Sequence, residues 1–352
     1  MKKYEKKVTI PKNMPLVSII MSVYNGQEYL RESIESILNQ TYENFEFIIT
    51  DDGSKDNSLN ILKKYEKKDS RIKLVINDSN KGLIYSLNNM LNLSKGKYIA
   101  RMDADDISLK NRIEEQVKFM EKNDDISMIS SSYQAFKDRY FFLKKNIQFI
   151  TGFEEIKSSL LFRNYICHPA VMIRKEIIKK YNLKYNPEDK GMEDYGLWLK
   201  LSKKEKIIIL PQILLKYRYL SNSISANVLK KENSYKNTLK NIFKRELNGI
   251  FDEFSIEDLE KHIEICLINN LSNFKYSIEE KLMYLEQLKN NTFIKENYNK
   301  ESVNKQINER IIEIYLNQSN FFKAFLKSRK YKISLKKFIF FKLKKIIKKF
   351  VR

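Results

Sequence analysis

Three acidic groups concentrate the chemistry of this 352-residue chain. The first, Asp103-Ala104-Asp105-Asp106, follows directly on a predicted buried strand, Tyr98 to Met102. Alternate side chains of an extended segment share a face, so Asp103 and Asp105 are expected to point together. Their carboxylates suit a hard cation, Mn2+ or Mg2+, which keeps open positions for phosphate. The same spacing also fits an acidic loop that caps the next helix. The second group is Asp51-Asp52-Gly53-Ser54-Lys55-Asp56. A carboxylate here can accept a hydrogen bond from a nucleobase imide or a ribose hydroxyl, and Gly53 frees the backbone to turn. Taken alone, the segment reads as an ordinary Asp/Gly/Ser turn. In the third group, Glu193 and Asp194 precede the chain's only tryptophan, Trp198. Asp194 fits a general base that takes a proton from an acceptor hydroxyl, or a helix N-cap with Tyr195, Trp198 and Leu199 packed behind it. His168, followed by Pro169, fits a hydrogen-bonded loop residue as well as a ligand contact; with Cys167 alone beside it, the pair makes a poor metal site.

The positions of these groups follow from the elements around them. Val17 to Val23 is a short apolar run with β-branched residues that ends at the turn formers Asn25 and Gly26, and it reads as a buried strand. Leu30, Ile34, Ile37 and Leu38 then recur with helical spacing, and Phe45 to Thr50 reads as a second strand. The unit repeats through a stripe at Leu59 and Leu62, a strand at Ile72 to Ile76, a helix over Gly82 to Leu93 and a strand at Tyr98 to Met102. A helix over Leu109 to Met120 and a strand over Ile126 to Ser132 follow, and residues 133–220 mix short apolar runs with loops. Alternation of this kind predicts an α/β fold: a mostly parallel sheet with helices on both faces, followed by an α-helical C-terminal region. Ligands of such sheets gather beyond the carboxyl ends of the strands, where the clusters at Tyr24, Asp51 and Asp103 fall.

Composition narrows the classes. A chain with 8 Gly and 5 Pro is neither fibrous nor linker-dominated, and two cysteines cannot build a disulfide framework. The N-terminal residues lack the apolar stretch of a signal peptide, and no uninterrupted apolar segment is long enough to span a bilayer. A cytoplasmic protein, peripheral at the inner face of the cell membrane, is the expectation.

The chain resembles the GT-A fold glycosyltransferases of family 2, in particular the bacterial enzymes that build capsule, lipopolysaccharide or O-antigen. The resemblance rests on Val17-Ser18-Ile19-Ile20-Met21-Ser22-Val23-Tyr24-Asn25-Gly26, Ser36-Ile37-Leu38-Asn39-Gln40-Thr41-Tyr42, Thr50-Asp51-Asp52-Gly53-Ser54 and Asn80-Lys81-Gly82. It continues through Tyr98-Ile99-Ala100-Arg101-Met102-Asp103-Ala104-Asp105-Asp106, His168-Pro169-Ala170-Val171-Met172 and Glu193-Asp194-Tyr195-Gly196-Leu197-Trp198. It implies a nucleotide-sugar donor, UDP-linked, and an inverting single displacement onto a hydroxyl of a growing surface glycan or lipid-linked oligosaccharide. By resemblance Ser22 and Tyr24 line the nucleotide pocket, Asp51 contacts the base and Asp52 supports its loop. Arg101 and Asp103 belong to the donor site, Asp103 facing ribose or sugar, and Asp105, with Asp103, holds the divalent metal. Asp194 is the base, and Asn80, His168, Glu193, Trp198 and Arg218 are candidates for donor or acceptor contacts. Relatives often carry histidine where Tyr219 stands, so no His-based diphosphate contact is expected there. Transfer to teichoic-acid or protein acceptors, and a non-catalytic nucleotide-sugar-binding scaffold, are the alternatives.

The charge points to a further surface. Lys and Arg number 66 against 44 Asp and Glu, a net charge of +22, and residues 323–352 carry 13 of the basic residues with no acidic one. Ile339, Leu343, Ile346, Ile347 and Phe350 form an apolar stripe beside those lysines, as in a helix lying on an anionic membrane, or one packed on the protein's own helices. No nucleic-acid partner is expected, because the charge gathers at one end without a nucleic-acid module. The resulting division is a catalytic domain over 1–225, a helical region over 226–322 and a basic amphipathic tail over 323–352. No feature of the sequence identifies an oligomeric state.

Overall fold

The computed structural model describes residues 14–137, 140–147, 152–220, 232–251, 255–271 and 273–318, with single positions at 339 and 342. The expected membrane-facing tail lies outside the described residues except for those two positions. Among the described residues no helix is long and apolar enough to cross a membrane.

The chain begins β1 (Val17–Val23), α1 (Leu30–Leu38), β2 (Phe45–Asp51), α2 (Ser58–Lys68), β3 (Ile72–Ile76), α3 (Leu83–Leu93) and β4 (Tyr98–Asp103). It continues β5 (Ile107–Ser108), α4 (Arg112–Lys122), β6 (Ile126–Lys137), β7 (Tyr140–Ile147) and α5 (Phe153–Ser159). Next come β8 (Met172–Arg174), α6 (Lys175–Lys180), α7 (Glu193–Ser202) and β9 (Lys206–Arg218). The helical remainder is α8 (Glu232–Glu246), α9 (Asn248–Phe251), α10 (Ile256–Cys266), α11 (Ile278–Asn290), α12 (Thr292–Asn297) and α13 (Lys300–Gln318).

The fold divides into two compact units that do not follow chain order. The first comprises Met1–Ser130, His168–Lys184 and Leu214–Lys216. Its centre is the parallel set β3-β2-β1-β4, to which β8 adds antiparallel on β4 and the start of β6 adds antiparallel on β8. All of β1 except Ser22 is buried, which is why its sequence is mostly apolar without polar alternation, Ser18 being a buried exception. The strand β3 has one paired neighbour among these strands and exposes Lys73 and Ile76. Helices α1 and α3 bury Leu30, Ile34 and Ile37, and Leu87, Met90 and Leu91, the stripes that their spacing predicts.

One boundary differs from expectation. The helix expected to begin at Leu109 starts at Arg112, because Ile107 and Ser108 pair with Lys216 and Leu215 and the Leu109 amide donates to the Leu214 carbonyl. A partner strand more than a hundred residues away takes the backbone groups that a helix would have used.

The second unit comprises Ser131–Cys167, Tyr185–Ile213 and Tyr217–Arg352. Here β6 continues to Lys137, beyond the expected end at Ser132, and pairs antiparallel with β7. Helices α10 and α11 both start at capping boxes, Ser255 with Asp258 and Ser277 with Glu280, each satisfying reciprocal backbone donors. Their packing follows the sequence pattern: Leu259, His262, Ile263 and Cys266 of α10 are buried, as are Ile307, Ile311, Ile312 and Tyr315 of α13. His262 is locked inside this bundle, with Nε2 at 2.8 Å from the Leu161 carbonyl oxygen and Nδ1 at 2.9 Å from the Tyr284 hydroxyl.

Candidate active site

Parallel register brings the first two acidic groups to one end of the sheet. Ser22 on β1 pairs with Thr50 on β2 and with Asp103 on β4, and Val23 pairs with Asp51. The loop after β1 is stitched to the loop after β2: the Asn25 amide donates to Ser54 Oγ (3.1 Å), the Lys55 amide to Asn25 Oδ1 (2.8 Å) and the Gly26 amide to Ser58 Oγ (2.9 Å). Asn25 adopts a left-handed conformation, φ 51°, which Asn tolerates better than most residues. Tyr24 stands at this end with 48% of its surface exposed, leaving its ring open to a flat partner.

The adjacent aspartates have different surroundings. Asp52 is buried and saturated: Oδ1 accepts from Asn77 Nδ2 (2.7 Å) and the Lys81 amide (3.0 Å), and Oδ2 accepts from the Gly82 amide (2.8 Å). It holds the 77–82 segment, a different loop from the one that follows Asp51. Asp51 is also buried, yet only its Oδ2 accepts a bond, from the Ser54 amide at 3.2 Å; Oδ1 has no hydrogen-bond partner. The hydroxyl of Thr50 beside it is likewise buried without a partner. Buried acceptors of this kind are costly unless a ligand completes them. Gly53, φ 72°, lets the loop pass against Ser79 and Asn80, since a Cβ there would lie 2.6 Å from the Ser79 carbonyl carbon. Asn80 itself is exposed.

At the end of β4, Asp103, Asp105 and Asp106 each place a carboxylate oxygen so that all three lie within 4.8 Å of one another. The route to this convergence is not the extended alternation expected from the sequence. The strand ends at Asp103, residues 104 and 105 form a turn, and the turn adds Asp106 to the group. Three hard oxygen donors in that space fit a divalent cation with metal–oxygen bonds of roughly 2.1 Å after small adjustments. Arg101 is 5% exposed and grips both oxygens of Asp103 with its two terminal nitrogens, fixing that carboxylate's orientation.

His168 packs in the same unit, on a turn held by Gln116, whose Nε2 donates to the Ala170 carbonyl at 2.7 Å. Burial, reinforced by the Arg101 charge, pushes the imidazole pKa well below its ordinary value, so the ring is neutral near pH 7. Buried Arg112 braces this region by donating to the Arg101 carbonyl (2.7 Å). Sequence reasoning missed Arg112 and Gln116, because buried polar side chains in an amphipathic helix look the same as solvent-facing ones.

In the second unit, Asp194 sits in the first turn of α7, and the N-cap is Met192 rather than Asp194. Both Asp194 oxygens accept hydrogen bonds: Oδ1 from the Tyr195 amide (2.8 Å) and Oδ2 from Asn164 Nδ2 (2.8 Å). Its carboxylate is partly exposed, whereas Glu193 is buried and accepts from the Gly191 amide at 2.9 Å. Trp198 is 1% exposed and belongs to the core behind the turn. Gly196 is a packing requirement, because a Cβ there would lie 2.1 Å from Asp189 Oδ2, the atom that accepts from Arg245. Burial raises the Asp189 pKa, and Arg245 opposes that shift. Tyr235 on α8 has its pKa pushed up to about 12 by burial and then by the Asp194 charge. Arg218 is buried with its guanidinium 4.6 Å from the centre of the Phe136 ring.

Comparison with known proteins places the chain in a family. Residues 18–182 match the model of glycosyl transferase family 2. An uncharacterised glycosyltransferase of Haemophilus influenzae is 32% identical over 97% of this chain and 98% of its own length. The Escherichia coli protein WfgD, named as a UDP-Glc:alpha-D-GlcNAc-diphosphoundecaprenol beta-1,3-glucosyltransferase, is 35% identical over 61% of this chain and 81% of its own. Among solved structures, TarS 1-349 of S. aureus in complex with UDP-GlcNAc aligns with a TM-score of 0.57 at 18% identity, covering 90% of this chain and 88% of that one, a likeness of fold. The full-length match and the family model together identify the chain as a member of glycosyl transferase family 2, a nucleotide-sugar-dependent glycosyltransferase with the GT-A fold.

Proposed function

We propose that the protein transfers a sugar from a UDP-linked donor to a hydroxyl of a surface glycan or lipid-linked oligosaccharide, with inversion at the anomeric carbon. The observation that carries the donor part is the convergence of Asp103, Asp105 and Asp106 at the strand ends whose register also presents the open Oδ1 of Asp51. Asp51 Oδ1 accepts from the imide N–H of uracil, a donor that matches the missing bond, and Tyr24 stacks on the base. Ser22 lines the same pocket, and Asn80 lies on the loop that Asp52 secures. Arg101 holds Asp103 toward ribose or sugar, and Asp105, with Asp103 and Asp106, would hold Mn2+ or Mg2+. That cation, when bound, neutralises charge on the departing diphosphate.

Asp194 accepts the proton of the acceptor hydroxyl as that oxygen bonds to the anomeric carbon and the nucleoside diphosphate leaves from the opposite side. Glu193 and Trp198 shape the turn that carries Asp194. The neutral His168 can donate or accept a hydrogen bond without adding charge. Arg218 is a candidate for a contact with donor or acceptor. The lipid-linked acceptor named for WfgD supports an acceptor of the same class, and the basic run over 323–352 supports attachment to the inner, anionic face of the cell membrane. The division into a catalytic domain over 1–225, a helical region and a basic tail belongs to this reading.

A screen of UDP-, GDP-, TDP- and CMP-sugars with Mn2+ or Mg2+, with Asp105→Ala in parallel, tests it. Metal-dependent release of UDP that is lost in the variant is the expected result. Release of a different nucleotide replaces the UDP assignment, and failure of every donor to bind removes the catalytic reading.

A further inference from the structure

The turn that carries Asp194 is seated on one segment of the second unit, Leu160–Ile166, through bonds from two consecutive residues. Asn164 Nδ2 donates to Asp194 Oδ2 at 2.8 Å, and the Tyr195 hydroxyl donates to the Leu160 carbonyl at 2.7 Å. The orientation of the Asn164 amide is dictated locally, because its Oδ1 accepts from the Ile166 amide at 2.9 Å. With the oxygen committed to a backbone donor, only the nitrogen can face Asp194.

The segment is anchored from behind by charge. Arg163 donates through both terminal nitrogens to the two oxygens of Glu313 on α13, each at 3.3 Å. Fully buried Arg310 reaches the same carboxylate at 2.7 Å. Arg310 and Glu313 are buried, so moving either strands a charge in the core, and Arg163, with 24% of its side chain exposed, joins them from the rim. The residue that touches Asp194 is therefore adjacent in sequence to one fixed on the C-terminal helix.

We infer that Asn164 is the positioning residue for Asp194, its amide holding the carboxylate in one orientation and the Arg163–Glu313 pair holding Asn164. The inference rests on the reading of Asp194 as the base. Glu193 and Tyr195 flank Asp194 on α7, the Asp194 charge acts on Tyr235 of α8, and Arg163 adjoins Asn164 in the supporting segment.

Two substitutions separate orientation from packing. Asn164→Ala removes the donor; Asn164→Asp keeps the shape and the acceptor for the Ile166 amide but turns an acceptor toward Asp194. Turnover is measured with UDP-glucose, Mn2+ and a diphosphoundecaprenol-linked N-acetylglucosamine acceptor, and thermal midpoints check folding. In Asn164→Ala, kcat is expected to fall about tenfold to a hundredfold while the donor KM stays within about twofold. Asn164→Asp is expected to be slower still, because two carboxyl groups then compete for one proton. An Asn164→Asp enzyme as fast as Asn164→Ala, or faster, overturns the inference in favour of a role in shape alone.

A second readout does not depend on donor identity. The carboxyl carbon resonance of Asp194, assigned by its loss in Asp194→Asn, is titrated with pH. Asn164→Ala is expected to raise its midpoint by about one unit, since the carboxylate loses a donor, and a rise below about 0.3 unit overturns the inference. If Asp194→Asn keeps turnover within about threefold, the assignment of the base falls. The titration then still decides whether Asn164 holds this carboxylate.

Discussion

In the first unit Asp51 is buried with Oδ1 lacking a hydrogen-bond partner, whereas in the second unit partly exposed Asp194 has donors on both oxygens. The first arrangement leaves part of its hydrogen-bonding capacity for something that the chain does not supply. The second invests the protein's own donors in the direction of one carboxylate. The difference suits the roles proposed for the two aspartates, since a ligand pocket needs unmet demand and a proton acceptor needs a fixed lone pair. Asp52 shows the structural limit of the same chemistry, a carboxylate fully consumed by three internal donors.

The comparison is most directly broken at the acidic triad Asp103, Asp105 and Asp106. Asp105→Ala is expected to lower metal-dependent turnover by about three orders of magnitude, measured as released nucleotide, because charge on the leaving group loses its counter-ion. Without metal the same variant is expected to unfold at a higher temperature than the parent, since one of three crowded carboxylates is gone. A turnover loss below about tenfold would place the metal site elsewhere.

Next in size is Asp52→Ala. Removing the acceptor of three donors is expected to cost about 3 kcal/mol in urea unfolding. Asp51→Asn should leave stability nearly unchanged, and equal losses from the two variants would erase the contrast between supporting and recognising aspartates.

Acid sharpens the comparison from a different side, because each unit contains one of the chain's two histidines and both are buried. His168 and His262 have folded pKa values below the ordinary 6.5, in the case of His262 about 4, with burial the largest cause for each. The unfolded chain therefore binds more protons than the folded one below about pH 6.5, and stability falls as the pH falls. For His262 the loss between neutrality and about pH 5 is expected to be about 2 kcal/mol. Denaturant midpoints for His262→Phe should show a shallower decline with acid than the parent, and an unchanged slope would refute the neutral, buried assignment.

The smallest effect expected is in recognition. Asp51→Asn keeps the shape but replaces an anionic acceptor with an amide, and UDP affinity measured by calorimetry with Mn2+ is expected to fall about tenfold. Undiminished affinity would remove Asp51 from the pocket.

Much of the first unit was legible because its information is local. Mostly apolar runs marked β1, β2 and β4, helical stripes marked α1 and α3, and turn residues placed the acidic groups at the strand ends. The boundary at Leu109 was not legible, since the partner that claims it, Leu214, lies far along the chain. The turn at Ala104 and Asp105 was hidden for another reason: the dipeptide fits strand and turn alike, and only the folded chain shows that Asp106 joins the group.

The sequence by itself determined the family, the parallel α/β core and the identity of the acidic residues at its carboxyl end, because spacing and side-chain type suffice for each. Tertiary structure alone decided which oxygens are satisfied: that Asp52 is saturated, that Asp51 keeps one open, and that Asn164, an unremarked polar residue in a loop, points its nitrogen at Asp194. Hydrogen-bond satisfaction belongs to pairs of groups brought together across the chain, and no single position in the sequence carries it.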